Sequence, residues 1–339
     1  MFSFPKSLFA RLVLISLFLS LALVVLSSLM RLSNQGLGCD DWPNCYGSID
    51  VVKYAKDIDA SKSAIAGISA ITPPTLVERA HRVVASGLLL FIIAITIIAW
   101  LRRKNPGQHV VLPLVLLGMS LFLAFLGVWY GSPLLRPPVV MANLLGGIIM
   151  VGMFWWLWLS LNQEPTQAHN SRSVSAYRKW AIAGLVVVVI QTSLGGWVSS
   201  NFAALACTTF PDCNGSWWPA MNVSEGFAVR NKLDVGTDGR VVVDQAGVTS
   251  IYMAHRLGAV FVLLLISWLG YKAMKLGGRF HAVGRAILTI LLLQILIGVT
   301  VVFFGSPLSV VVAHNLEATL LWLSMITLIY YLSYRAQPT

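Results

Sequence analysis

The sequence predicts an all-α integral membrane protein of eight transmembrane helices, built as two tandem four-helix bundles, and three observations predict it. The chain is 57% hydrophobic and only 11% charged, against roughly 45–50% and about 25% in soluble domains. Mostly apolar runs of about 18 residues or more, each able to cross a hydrocarbon core of roughly 30 Å as a helix, recur along it. Finally, two similar cysteine-bearing stretches lie half a chain apart, which reads as an internal duplication.

The apolar runs lie near residues 10–30, 83–101, 110–130, 139–161, 180–199, 256–275, 286–304 and 308–332. The first follows Lys6 and Arg11 as a signal peptide would. However, Leu12 to Met30 exceeds an h-region of roughly 7–15 residues, and "SSLMRLSN" offers no small-x-small cleavage site, so a retained helix is expected. Charge sets the orientation. With the N-terminus cytoplasmic, one side carries 13 bases, among them Lys6, Arg102, Lys179 and Arg335, against the single acid Glu164, and the other side 11 bases against 12 acids. Those 13 bases sit in short connections and tails, the segments that the positive-inside rule counts. Both termini are therefore expected in the cytoplasm and the chain in the inner (plasma) membrane. The net charge of +11 then reports topology; no soluble domain carries a basic patch for nucleic acid.

Two long loops, about 31–82 and 200–255, fall on the extracytoplasmic side. "NQGLGCDDWPNCYG" and "NFAALACTTFPDCNG" share an Asn, a Leu two before the first Cys, an aromatic-Pro pair, a second Cys six residues on and a Gly two later. Cys39 and Cys45 thus match Cys207 and Cys213, 168 residues apart, and divide the chain into halves 1–165 and 166–339. Four cysteines allow three pairings and the sequence does not choose among them. Local pairing is favoured, because the spacer can fold back and an oxidising compartment permits the bonds. A metal site, whose cysteines usually lie closer together, and free thiols in a redox relay stay open.

His109, His169 and His281 lie in cytoplasmic connections or at helix edges and read as solvated polar residues. Three others do not. "VERAHRVVASG" puts His81 and Arg82 at the start of the second helix, "IYMAHRLGAV" puts His255 and Arg256 at the start of the sixth, and "VVVAHNLEA" puts His314 early in the eighth. An ionisable side chain inside a span faces a cavity, a partner or a cofactor. One such histidine would read as packing; a pair within one half, with its His-Arg repeated in the other, reads as ligands. Histidines are the usual axial ligands of heme, and the adjoining arginines suit propionates. With no Cys-x-x-Cys-His sequence, any heme is held noncovalently, and no Gly-rich motif supports a nucleotide site.

The duplicated layout, the loop cysteines, Glu78 three residues before His81, a His-Arg in each half and His314 together resemble the heme A synthase family over essentially the whole chain. The resemblance implies a membrane oxidoreductase that converts the C8 methyl of heme O to the formyl group of heme A for cytochrome oxidase. It implies a heme b held by His255 and His314 in the C-terminal half. It also implies a substrate heme held through His81 in the N-terminal half with Glu78 beside it, and a cysteine pair in each loop, Cys39 with Cys45 and Cys207 with Cys213. Implied partners are heme O, heme O synthase, other oxidase assembly factors and an electron carrier the sequence does not identify, in membrane lipid; a homo-oligomer is left open.

One position departs from the family pattern. Aligning "VVMANLLGG" with "VVVAHNLEA" puts Asn143 opposite His314, where the family has the second substrate-site histidine. Two readings follow: an active synthase whose substrate heme needs only His81, or an impaired heme-binding paralogue acting in electron transfer or oxidase assembly. Retention of Glu78 and His81 favours the enzyme. Three residues apart, those two share a helix face, where Glu78 can serve as base or water-positioning group. Glu317, three after His314, is either hydrogen-bonded behind the heme b site or at a helix contact. Trp129, Trp155, Trp156, Trp158, Trp217 and Trp218 are expected in interfacial belts, and "LGG" at 145–147 and at 194–196 is expected to allow close helix packing. A short hairpin is expected around "TDGR".

Overall fold

The computed structural model describes residues 7–33, 76–105, 108–128, 136–162, 172–228 and 243–333. Cys39, Cys45, Glu164, His169, Trp129 and the "TDGR" segment lie outside them. The long helices are α1 (Leu8–Ser33), α2 (Leu76–Leu101), α3 (Val111–Val128), α4 (Arg136–Leu161), α5 (Arg172–Ser200), α6 (Gln245–Lys275), α7 (Gly278–Phe303) and α8 (Leu308–Ser333). A 3-10 turn at Ala203–Leu205 and a one-turn helix at Val223–Gly226 sit between α5 and α6. Helix is the expected answer to a hydrocarbon solvent, because every backbone group must then be satisfied within its own segment.

Seven of these helices are long and apolar enough to cross a membrane, which makes this a multi-pass membrane protein. The expected eighth, α3, is shorter, with 18 residues; at about 1.5 Å per residue it rises about 27 Å, less than the roughly 30 Å of a hydrocarbon core.

The helix ends are written in the sequence. Pro113 lies in the first turn of α3, and Pro137 and Pro138 in that of α4, where a missing N–H costs nothing. The Asp244 side chain caps α6 by accepting from the Gly247 amide. Between α6 and α7, Gly277 and Gly278 adopt φ of 74° and 51°, a left-handed turn that a side chain would resist. At the end of α7, the Ser306 amide donates to Val301 O at 2.7 Å and the Gly305 amide to Val302 O at 3.3 Å, satisfying carbonyls that the helix leaves open before Pro307.

α1 packs on α2, α4 and α8; α5 packs on α6, α8 and α4. α3 lies against α2 and α4, α7 against α6 and α8, and α4 meets α8 at the centre. Val151, Phe154 and Leu157 of α4 and Met325 and Leu328 of α8 are completely buried there. Outward, Val83, Leu90, Ile97 and Leu101 of α2 are exposed at spacings of four to seven residues, as a lipid-facing stripe requires. Polar groups inside are paired across helices: Trp155 Nε1 donates to Thr327 Oγ1 at 2.8 Å, Trp322 Nε1 to Thr192 Oγ1 at 3.0 Å, and Tyr330 OH to Leu159 O at 3.3 Å. α6 and α7 approach backbone to backbone, since a Cβ on Gly284 would lie 2.5 Å from Gly270 O.

The tryptophans divide. Trp217 and Trp218 are each 72% exposed, whereas Trp158 is 6% exposed and Trp155 is tied to Thr327. Trp158 packs between helices and Trp155 hands its N–H to a neighbouring helix, as an indole can while filling the space between.

Candidate functional site

His255 and His314 lie on α6 and α8, two helices apart in the chain. His255 lies in the third turn of α6 and His314 in the second turn of α8, and their ring centroids are 6.5 Å apart with planes at 80°. That separation matches two imidazoles on opposite sides of one metal: two metal–nitrogen bonds of roughly 2.0–2.1 Å each plus the depth of each ring. Polar atoms at the two rings also fit a bound group. Buried without a hydrogen-bond partner are Gln191 Oε1, Gln294 Oε1 and His314 Nδ1. Buried polar atoms in a finished interior are nearly always paired, so this cluster is incomplete as protein alone. The residues present therefore fit a heme ligated by two histidines.

Each imidazole is backed by a glutamine that sequence reasoning passed over. Gln191 Nε2 of α5 lies 3.1 Å from His255 Nδ1 and donates to His255 O at 2.9 Å. Gln294 Nε2 of α7 lies 3.2 Å from His314 Nε2. One turn past each glutamine is a glycine against the same ring: a Cβ would lie 2.9 Å from His255 Cε1 at Gly195 and 3.0 Å from His314 Cε1 at Gly298. The available signal was the spacing Gln-x-x-x-Gly, present at 191–195 and 294–298. Gly196 does serve helix packing, against Met141 and Leu144, but Gly195 makes room for an imidazole.

Arg256 turns away from that ring pair. Its Nη1 donates to Asp212 O at 2.7 Å and its Nη2 to Thr209 O at 2.8 Å and Cys207 O at 3.2 Å, and its guanidinium lies over the Tyr252 ring, 4.7 Å from the centroid. These carbonyls belong to the loop closed by the Cys207–Cys213 disulfide, whose Cα atoms are 4.7 Å apart. The local pairing expected for this loop is present. It ends the metal and free-thiol alternatives there, and among the described residues no group of three or more His, Cys, Asp or Glu could hold a metal ion.

In the other half, Glu78 and His81 follow one another on α2, both partly buried, and Arg82 is exposed. Asn143 on α4 donates its Nδ2 to Val139 O at 3.1 Å, within its own helix. No hydrogen bond or ring contact joins His81 to Asn143. A further residue missed from sequence is Arg31 at the end of α1, which donates to Ser199 Oγ at 2.9 Å and Asn315 Oδ1 at 3.4 Å. A separate apolar hollow of about 690 Å³ is lined by His109, Leu112, Trp156, Leu185 and Trp322; it contains none of the candidate ligands.

A family model described as cytochrome oxidase assembly protein (COX15-CtaA) matches residues 10–326. The chain is similar to the heme A synthase of Shewanella oneidensis, with 32% identity over 96% of this chain and 97% of that one. It is also similar to the heme A synthases of Rhizorhabdus wittichii, 23% identical over 94% of this chain and 91% of that one, and of Shouchella clausii, 25% identical over 89% of each.

Proposed function

The chain belongs to the cytochrome oxidase assembly family of heme A synthases, and from that premise we infer that it is an oxidoreductase converting heme O to heme A. The observation that carries the reading is similarity to heme A synthases along nearly the whole chain. Heme O is the substrate and heme A the product. The alternative of a catalytically impaired paralogue is not favoured, because relatives covering 96% and 94% of the chain carry the enzyme's name.

The finer assignments are proposals with structural support. The C-terminal half, 166–339, holds a heme b through His255 and His314; the ring separation and the unpaired polar atoms around the two rings support it. When bound, that heme supplies one-electron redox chemistry beside the substrate half. The N-terminal half, 1–165, holds heme O through His81. Turning a methyl into a formyl group removes electrons and inserts oxygen, so protons must be managed at the reacting carbon. Glu78, one turn from His81 on the same face, takes that role as base or by positioning water. Asn143 occupies the place of a second ligand and leaves that side of the substrate site open. Arg82 is available to a propionate; Arg256 serves its heme by holding the disulfide loop over the site.

An internal duplication with eight spans is supported by the packing. Exchanging α1 with α5, α2 with α6, α3 with α7 and α4 with α8 maps the set of packed helix pairs onto itself. Contacts at the centre join residues about one repeat apart, such as Tyr330 with Leu159, 171 positions away. This is what a twofold-like axis between repeats produces. Both termini in the cytoplasm of the plasma membrane, with the cysteine loops outside, remains the orientation that the charges favour. Heme O synthase, further assembly factors, an electron carrier and a second copy of the chain are candidate partners.

The test is expression with a heme O synthase in a host lacking heme A, followed by extraction and chromatography of the hemes. Formyl heme, or its hydroxylated precursor, is the expected product. Unchanged heme O beside a bound b-type heme would overturn the enzyme reading.

A further inference from the structure

We propose that Gln191 and Gln294 are positioning residues that fix the orientation of His255 and His314, Gln294 also setting which nitrogen of His314 carries the proton, and that Gly195 and Gly298 are the matching floors on which the two rings lie. The proposal rests on the reading of this pair as heme ligands and adds the residues that tune them.

The arrangement recurs on two separate helices but meets Nδ1 of His255 and Nε2 of His314, which leaves His255 Nε2 and His314 Nδ1 for a metal. Gln191 on α5 lies 3.1 Å from one ring nitrogen of His255, and Gln294 on α7 lies 3.2 Å from one of His314. Four residues on, on the same helix face, a Cβ on Gly195 or Gly298 would reach the same ring's Cε1 at 2.9 or 3.0 Å. A glutamine holding one edge of a ring and a glycine leaving its flank free define the plane in which that ring can sit. Neither residue is interchangeable with a generic apolar one at these positions.

The amide also decides the proton. A neutral imidazole that gives one nitrogen to iron carries its hydrogen on the other, and that N–H needs an acceptor. Gln294 holds an acceptor in reserve, since its Oε1 is buried and receives no hydrogen bond. A half-turn of that amide sets Oε1 against the His314 ring N–H, whereas the Gln191 amide stays anchored by its bond to His255 O and holds the His255 ring from there. Such a partner orients a ligating histidine and raises its basicity.

The matching positions of the other half, both among the described residues, lack the device. The text "GSPL" occurs at 131–134 and 305–308, which sets Ser120 174 residues before Gln294; the cysteine offset of 168 sets Leu23 before Gln191. Neither can present an amide, and Ser120 Oγ is buried without a partner. Tuned histidines are therefore a property of the C-terminal site alone.

The experiment uses the full-length protein purified with its heme, and measures heme per protein, the low-spin absorption and electron paramagnetic resonance signals, and the midpoint potential. Gln294→Leu removes the acceptor and Gln294→Glu keeps the shape and strengthens it; Gln191→Leu removes the amide that anchors the His255 ring. The expected result is heme retained in Gln294→Glu, with the potential raised in Gln294→Leu and lowered in Gln294→Glu, and a shifted low-spin signal in Gln191→Leu. The expected size is about a tenfold change in the ferric-to-ferrous equilibrium, or about 59 mV for one electron. Heme lost from Gln294→Leu but kept in Gln294→Glu, with the lowered potential, also supports the proposal. Unchanged spectra and potentials in all three variants would overturn it, and so would equal loss of heme from Gln294→Leu and Gln294→Glu, which marks that amide as packing. Absence of a bis-histidine signal from the unmodified protein would instead remove the parent reading.

Discussion

Two stretches written in nearly the same letters behave differently. In "VVVAHNLEA" on α8, His314 reaches off its helix toward His255 and Gln294. In "VVMANLLGG" on α4, Asn143 folds onto the carbonyl one turn back. The neighbouring Asn315 does the same, donating to Val311 O at 2.9 Å. A short amide can satisfy itself on its own backbone in a low-dielectric interior. An imidazole this far from its backbone looks outward. One difference of residue thus separates a histidine that meets another histidine from an amide that meets only its own helix.

The difference can be broken at the substrate side first. Glu78→Gln is expected to lower heme A formation by about 10²–10⁴, the usual contribution of a placed acid or base, while heme content and the low-spin signal stay unchanged. Extraction of hemes from the co-expression host measures it, and a parallel fall in bound heme would make Glu78 structural instead. Next in size are His255→Ala and His314→Ala. Either should cut heme retention in the C-terminal half by more than about tenfold, since even a residue behind a ligand is commonly worth 10–100-fold. Pyridine hemochrome assay against protein concentration checks this, and full retention would show that the pair is not the ligand set.

A sharper intervention makes the halves alike. Asn143→His should convert a high-spin substrate heme to low spin, read by absorption and electron paramagnetic resonance. Two bis-histidine hemes in the unmodified protein would refute the alignment of Asn143 with His314. The smallest expected effect is at the seam. Trp155→Phe removes the bond from α4 to Thr327 of α8 and should reduce resistance to denaturation in detergent by about 0.6 kcal/mol, the average for such bonds in membranes. No loss would mean that this bond adds nothing to the seam.

Much of this was legible before any coordinates. The runs of apolar residues located each long helix, because a membrane core imposes a minimum length and forbids unpaired backbone. α3 was the exception, its run reading as a full span although the helix is the shortest of the set. The candidate ligands His255 and His314 were visible because a titratable residue in a span is rare enough to stand out. Gln191 and Gln294 were invisible for the opposite reason. A lone glutamine in an apolar helix is ordinary until its neighbour across the interface is known. That Trp158 is buried and Trp155 bonded to Thr327 was equally hidden, because composition reports how amphipathic a side chain is, not which direction its helix turns it.

By itself the sequence determined that this chain lives in a membrane and which side chains could ligate a heme. Those properties follow from solvent and chemistry, which act residue by residue. Only the tertiary structure decided that two histidines 59 positions apart stand 6.5 Å apart, that Arg256 grips the disulfide loop, and that a glutamine and a glycine wait behind each ring. Such pairings depend on the rotation and crossing of helices, which many side chains set together through packing and which no single motif records.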